Sequence, residues 1–203
     1  MRLVLIRHGH TSANALRLLD TQFPGADLDE TGRRQADGLA QRLADEPIDA
    51  VYSSDLVRAR QTAAPLAAAR GLTVTVLPGL REIQAGDEEG AVWGSDGYVA
   101  TVRAWGRGQC GVGTPGGEDG FLFFDRFDAA IAAIAADNGD DARTAALVSH
   151  GAALRVWCSR RVDGFELADG GEAGFENTGY AVVEGDPDAG WRLVRMDGVH
   201  RWD

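Results

Sequence analysis

A three-layer α/β/α sandwich with a mostly parallel central sheet and an antiparallel edge is predicted by three features of the sequence. Unbroken apolar runs at 3–6 and 145–148 suit strands covered on both faces. Helical segments alternate with these and other strand candidates in β-α-β-α order, which implies right-handed crossovers and a parallel sheet. Polar residues punctuate the strand ends, where open α/β sheets bind their ligands.

The elements follow in order. Leu3-Val4-Leu5-Ile6 runs into Arg7-His8-Gly9-His10-Thr11, and 11–28 reads as a loop with a short helix. Asp29-Glu30-Thr31-Gly32 carries capping chemistry for a helix whose inward face includes Gln35, Leu39 and Leu43, up to a break at Pro47. A second strand at 48–52 ends in Ser53-Ser54-Asp55, which can cap a helix beginning near Leu56 and reaching Gly71. The β-branched stretch 72–77 predicts a third strand, ending at Pro78-Gly79. The acidic, glycine-rich segment from 84 to 120, with a helix over 97–105, reads as an insertion over the cleft. A helix over 121–137 follows, with Phe124, Phe127, Ile131 and Ile134 at core-facing spacing. The fourth strand, 145–148, closes on Ser149-His150-Gly151 and leads into a helix through Cys158. Segments 180–184 and 191–196, joined by Asp186-Pro187-Asp188-Ala189-Gly190, predict a final hairpin at a sheet edge.

Composition bounds the function. A chain of 203 residues, 44% hydrophobic, without a compositional break, is expected to form one domain over 1–203. No run approaches the roughly 20 apolar residues that span a bilayer, and Met1-Arg2-Leu3 enters the first strand directly, so a cytoplasmic protein is expected. The net charge of −11 argues against nucleic acid or an anionic membrane as partner. Cys110 and Cys158 stand alone, without zinc or disulfide spacing. All 20 basic residues are arginine. An acidic protein that bound a phosphate ester would have to concentrate some of them locally.

If the strands are parallel, Arg7-His8, 53–58, Arg81-Glu82 and His150-Gly151 converge on one cleft. An arginine fork matches phosphate oxygens, a neutral imidazole can be a nucleophile, and glycine lets backbone approach an anion. Arg58 and Arg60 lie two apart on a helix, so only one can face inward, and Arg58 is the better placed. Ser149-His150-Gly151 opens a helix whose free N–H groups favour an anion. Each residue alone also has a bland reading, as a solvated strand end, an exposed arginine or a structural histidine.

Together, Leu5-Ile6-Arg7-His8-Gly9, Ser53-Ser54-Asp55-Leu56-Val57-Arg58-Ala59-Arg60-Gln61-Thr62-Ala63, Leu80-Arg81-Glu82-Ile83 and Val148-Ser149-His150-Gly151 resemble the histidine phosphatase superfamily, the phosphoglycerate mutase-like phosphatases, across the first three quarters of the chain. Asn14, Thr114-Pro115-Gly116-Gly117-Glu118 and Asn177-Thr178 fit the same pattern. The resemblance implies a phosphoglycerate mutase-like fold and a phosphatase that hydrolyses small phosphate monoesters without metal or cofactor. It implies His8 as nucleophile, Glu82 as general acid and base, a phosphoryl clamp of Arg7, Arg58 and His150, and Asn14 and Gly151 at the phosphate. Burial and the phosphate would raise the Glu82 pKa while the arginines would lower it.

The chain departs from the family at two places. Gly86-Asp87-Glu88-Glu89-Gly90 has Glu88 where many members carry an aromatic, and His10 replaces the commoner Glu or Gln. His10 reads as a rim residue. Trp93, Tyr98 and Trp105 either touch substrate or pack the insertion onto the sheet. The resemblance also admits a cofactor-dependent mutase-type phosphotransferase. Such mutases carry a Glu-Arg-His-Tyr-Gly segment and an arginine pair, whereas this chain has Arg81-Glu82-Ile83-Gln84-Ala85-Gly86 and isolated Arg103 and Arg107, which favours hydrolysis. A metal hydrolase built on His8, His10, His150 and Asp55 would set Arg7 and Arg58 beside a cation, which is unfavourable. A non-catalytic phosphate-binding protein is the remaining alternative. The natural substrate is open, and a homodimer is compatible with the sequence.

Overall fold

A computed structural model describes residues 1–94, 96–139, 143–165 and 173–201. In chain order the elements are β1 (Arg2–Arg7), α1 (Ser12–Ala15), α2 (Glu30–Arg42), β2 (Ile48–Ser53), α3 (Val57–Ala68), β3 (Val74–Val76), α4 (Asp96–Gly106), α5 (Gly120–Asn138), β4 (Thr144–Ser149), α6 (Gly151–Arg161), β5 (Val162–Asp163), β6 (Ala173–Asp186) and β7 (Gly190–Arg201). Among the described residues the strands form one sheet in the order β3-β2-β4-β1-β6-β7-β5.

β4 pairs in parallel with both β1 and β2, and β2 with β3, so the four early strands end on one side. Their side chains alternate between two cores. Leu3 and Leu5 of β1, with Ala145 and Leu147 of β4, meet Phe123, Phe127, Trp105 and Trp157 on one face. Val4, Ile6, Ala146 and Val148 meet Leu39, Ala59, Ala63 and Leu66 of α2 and α3 on the other. This double burial is what an unalternated apolar run requires. Asp29 caps α2 as expected, accepting from the Gly32 amide at 2.8 Å.

The structure changes two expectations. Leu56 stands at the N-cap of α3 without a side-chain cap bond, because Ser54 Oγ accepts from the Leu56 amide at 3.2 Å, two residues too early, and Asp55 is drawn to Arg81. The closing hairpin is longer than its apolar stretches, since its polar ends continue the ladder. It forms the antiparallel edge side of the sheet, as expected: β6 runs antiparallel between β1 and β7, and only the two-residue β5 lies beyond.

Candidate active site

The ends of β1, β2 and β4 and the turn after β3 deliver the polar residues to one cleft of about 380 Å³. Its lining includes Arg7, His8, Asn14, Arg58, Glu82 and Gly151. His150 lies fully buried beneath, its ring 5.1 Å from that of His8. Arg58 is buried and Arg60 exposed, as the helical spacing requires.

His8 is held in one tautomer. Its Nδ1 lies 2.7 Å from the Gly9 carbonyl, which can only accept, so Nδ1 carries the proton. Nε2 is therefore the lone-pair nitrogen, and it accepts from Arg58 Nε at 3.1 Å. Burial, with Arg58 and Arg7 nearby, holds the imidazole well below its ordinary pKa. The ring is neutral near pH 7, with its basic nitrogen aimed along the guanidinium edge. Such a nitrogen is a competent nucleophile.

The cations around it are also fixed. Arg7 donates from Nη1 to the Phe175 carbonyl at 2.6 Å, and its buried Nε has no partner among the described residues. A Cβ on Gly151 would stand 3.2 Å from that Nε, so glycine leaves the Arg7 edge room. Arg58 gives its terminal nitrogens to Asp20, with Nη1 3.2 Å from Oδ2 and Nη2 2.7 Å from the main-chain oxygen. His150 Nε2 lies 2.9 Å from Ser54 Oγ, and its buried Nδ1 lacks a partner among the described residues. Ser54 Oγ accepts from the Leu56 amide and keeps one proton to donate; given to His150 Nε2, it leaves Nδ1 as the donor.

Glu82 fills the position expected for an external anion. Its carboxylate accepts from Ala152 at 3.1 Å and Ala153 at 2.8 Å in the first turn of α6, and from its neighbour Ile83 at 2.9 Å. The opening of that helix is therefore occupied by the protein's own carboxylate. Burial raises the Glu82 pKa, opposed by these amides and by Arg58, and burial prevails.

Gly9 is small for a reason other than an approaching anion, since its Cβ would meet the Gly32 carbonyl at 2.8 Å. Asn14 Oδ1 accepts from Thr11 N at 3.2 Å and Asn177 Nδ2 at 3.1 Å, which leaves the Asn14 amide hydrogens for the cleft. His10 sits on the rim, with Nδ1 2.6 Å from Asp29. Of the three aromatics, Trp93 and Tyr98 line the cleft, edge to face at 5.7 Å, whereas Trp105 is core, stacked on Phe123. Asp55, one arm of the metal alternative, accepts from Arg81 Nε at 2.7 Å.

Sequence reasoning did not single out Asp20, Thr62, Arg126 or Arg155. Thr62 Oγ accepts from the Gly9 amide at 2.9 Å, and Arg155 lines the cleft. Arg126, on α5, anchors the turn that carries Glu82, donating to the carbonyls of Gly79, Arg81 and Glu82 at 2.8, 2.9 and 3.0 Å while pairing with Glu118 at 2.6 Å. Arg126→Met would strand the buried Glu118 carboxylate and free three carbonyls. We expect a loss of about 3 kcal/mol, a melting temperature lower by roughly 6–12 °C in thermal denaturation, and lower activity from a displaced Glu82.

Comparison with known proteins identifies a family for the chain. The model of the histidine phosphatase superfamily (branch 1) matches residues 3–197. The PE-PGRS family protein PE_PGRS11 of Mycobacterium tuberculosis is 35% identical over 212 residues, covering 96% of this chain but 36% of that protein. The metal-independent phosphoserine phosphatase of Arabidopsis thaliana is 35% identical over 160 residues, covering 76% of this chain and 66% of the relative. Among solved structures, the mycobacterial glucosyl-3-phosphoglycerate phosphatase in complex with VO3 superposes with a TM-score of 0.77 at 29% identity, covering 95% of this chain and 96% of that one. Among the described residues no helix is long and apolar enough to cross a membrane.

Proposed function

The chain belongs to the histidine phosphatase superfamily, and from that premise we propose that it is a phosphomonoesterase working through a phosphohistidine on His8. The observation that carries this reading is the pair of bonds that fix the His8 tautomer: Nδ1 to the Gly9 carbonyl, and Arg58 Nε to Nε2. They point a neutral, basic Nε2 into the cleft beside a cation.

His8 Nε2 attacks phosphorus and the P–O bond to the alcohol breaks. Glu82, protonated, gives its proton to the leaving oxygen. Arg58, Arg7 and His150 Nδ1 stabilise charge on the equatorial oxygens, which is most of what phosphoryl transfer requires. Glu82, now a carboxylate, takes a proton from water, whose oxygen attacks the phosphohistidine. Inorganic phosphate leaves and both side chains return to their starting states. Asn14 and Gly151 complete the phosphate site, and the proteins named above suggest small phosphate esters as substrates. Neither Arg103 nor Arg107 lines the cleft, so neither can grip a substrate carboxylate there as a mutase would need.

This scheme needs no metal, because two guanidiniums supply the charge and the neutral His150 imidazole a hydrogen bond. Turnover of p-nitrophenyl phosphate should therefore survive prolonged chelation, and loss of activity restored by added metal would overturn the scheme. An alkaline denaturing quench of the protein with labelled substrate should trap a phosphoprotein that is labile to acid and stable to base. A panel of phosphate esters, including 3-phosphoglycerate with and without a bisphosphate cofactor, tests hydrolysis against transfer. Cofactor-dependent isomerisation there would replace the phosphatase with a mutase.

A further inference from the structure

The family chemistry leaves one acidic side chain in the cleft without a role. Asp20 is an acid that lines a site built for a dianion. It would repel phosphate, yet it lies directly on the arginine proposed to hold phosphate.

A guanidinium has two forks, one between its terminal nitrogens and one along its Nε edge. Asp20 takes the terminal fork with two different oxygens, its carboxylate and its main-chain carbonyl. The edge left over carries Nε, which meets His8 Nε2. Asp20 is itself held in place. Its Oδ2 also accepts from the Ala26 amide at 2.9 Å. On either side of it, Leu19 N donates to the Ala91 carbonyl at 2.8 Å and Thr21 N to Glu89 at 2.7 Å. The Arg58 side chain is only 3% exposed, and that of Asp20 is 23% exposed, facing the cleft. The pair is thus a rigid bracket with its negative end toward the space a phosphate would enter.

We propose that Asp20 is a positioning residue: it turns the Nε edge of Arg58 toward His8 and, through its charge, keeps the cleft from retaining inorganic phosphate. The inference rests on the reading of Arg58 as a phosphoryl clamp. Orientation and charge are separable functions of one carboxylate. Asparagine at 20 keeps an oxygen for Arg58 and Ala26 but removes the charge, whereas alanine removes both.

The test uses p-nitrophenyl phosphate as substrate and inorganic phosphate as competitive inhibitor, with folding checked by thermal melting. Asp20→Asn should lower Ki for phosphate on the order of tenfold, since one repulsive charge has gone, with a smaller loss of kcat than Asp20→Ala. Asp20→Ala should lower kcat on the order of tenfold through a misaligned guanidinium. Arg58→Ala should cost on the order of 10², and adding Asp20→Ala to it should cost nothing further, because the two act as one unit. A Ki for phosphate that does not fall in Asp20→Asn overturns the proposal. So does an Asp20→Ala loss that is equally large with and without Arg58, which would mark Asp20 as a loop anchor only. If the parent protein forms no phosphoprotein, or Arg58→Ala is silent, the underlying reading fails instead. A parent that passes both, with inert Asp20 variants, overturns this inference alone.

Discussion

His8→Ala is expected to reduce turnover of every phosphate ester by about 10⁴-fold or more, because neither Glu82 nor His150 can take the phosphoryl in its place. Glu82 cannot substitute, since its oxygens are held by the amides of Ile83, Ala152 and Ala153. His150 is placed as a hydrogen-bond donor rather than a nucleophile, its Nε2 lying against Ser54 Oγ. The fold should survive. The imidazole stands at the floor of an open cleft, so water can enter the space it leaves and solvate the Nε of Arg58. The thermal midpoint should therefore stay close to that of the parent while the acid-labile phosphoprotein disappears. The two measurements together separate a lost nucleophile from a lost fold. Ordinary activity in His8→Ala would remove the phosphohistidine scheme altogether.

What was legible in the sequence followed from the topology. Once the apolar runs at β1 and β4 imply a parallel sheet, the residues just past each strand must share a side, and Arg7, His8, Arg58, Glu82 and Gly151 do line one cleft. The choice of Arg58 over Arg60 needed only helical spacing. Other features were hidden because they depend on contacts between distant segments. Asp20 sits in an aperiodic loop and finds Arg58 only after β2 and α3 have folded. The opening of α6 looked like a phosphate site, and no local pattern could show that Glu82, about 70 residues earlier in the chain, reaches it first. Arg126 lies on a helix whose apolar spacing marks Phe127 as core and says nothing of its neighbour, which reaches sideways to the turn carrying Glu82. Candidate site residues on strand ends are readable in this fold, while the groups bonded to them from distant segments are not.

Glu82→Gln is expected to divide substrates by leaving group. Alkyl phosphates need their departing oxygen protonated, so without an acid their kcat should fall by about 10²- to 10⁴-fold. p-Nitrophenolate leaves with little help and should lose far less in the first step. The pH profile gives an independent sign. Burial raises the Glu82 pKa, so its acid form persists to higher pH than an ordinary carboxyl's and is lost as pH rises through that raised value. The His8 pKa is depressed, so the nucleophile stays neutral until pH falls well below the usual histidine range. Activity on alkyl phosphates should therefore lie between these two limits, and Glu82→Gln should abolish the alkaline limb while keeping the acid one. Glutamine also serves as the structural control. Its oxygen can still accept from Ile83 and Ala153, but its NH₂ would face the Ala152 amide, a donor against a donor, at a cost of about 1–3 kcal/mol. That cost lowers stability equally for all substrates, so it cannot produce a leaving-group dependence. Equal losses on alkyl and p-nitrophenyl esters would take the acid role from Glu82 and leave it as the carboxylate that closes the first turn of α6.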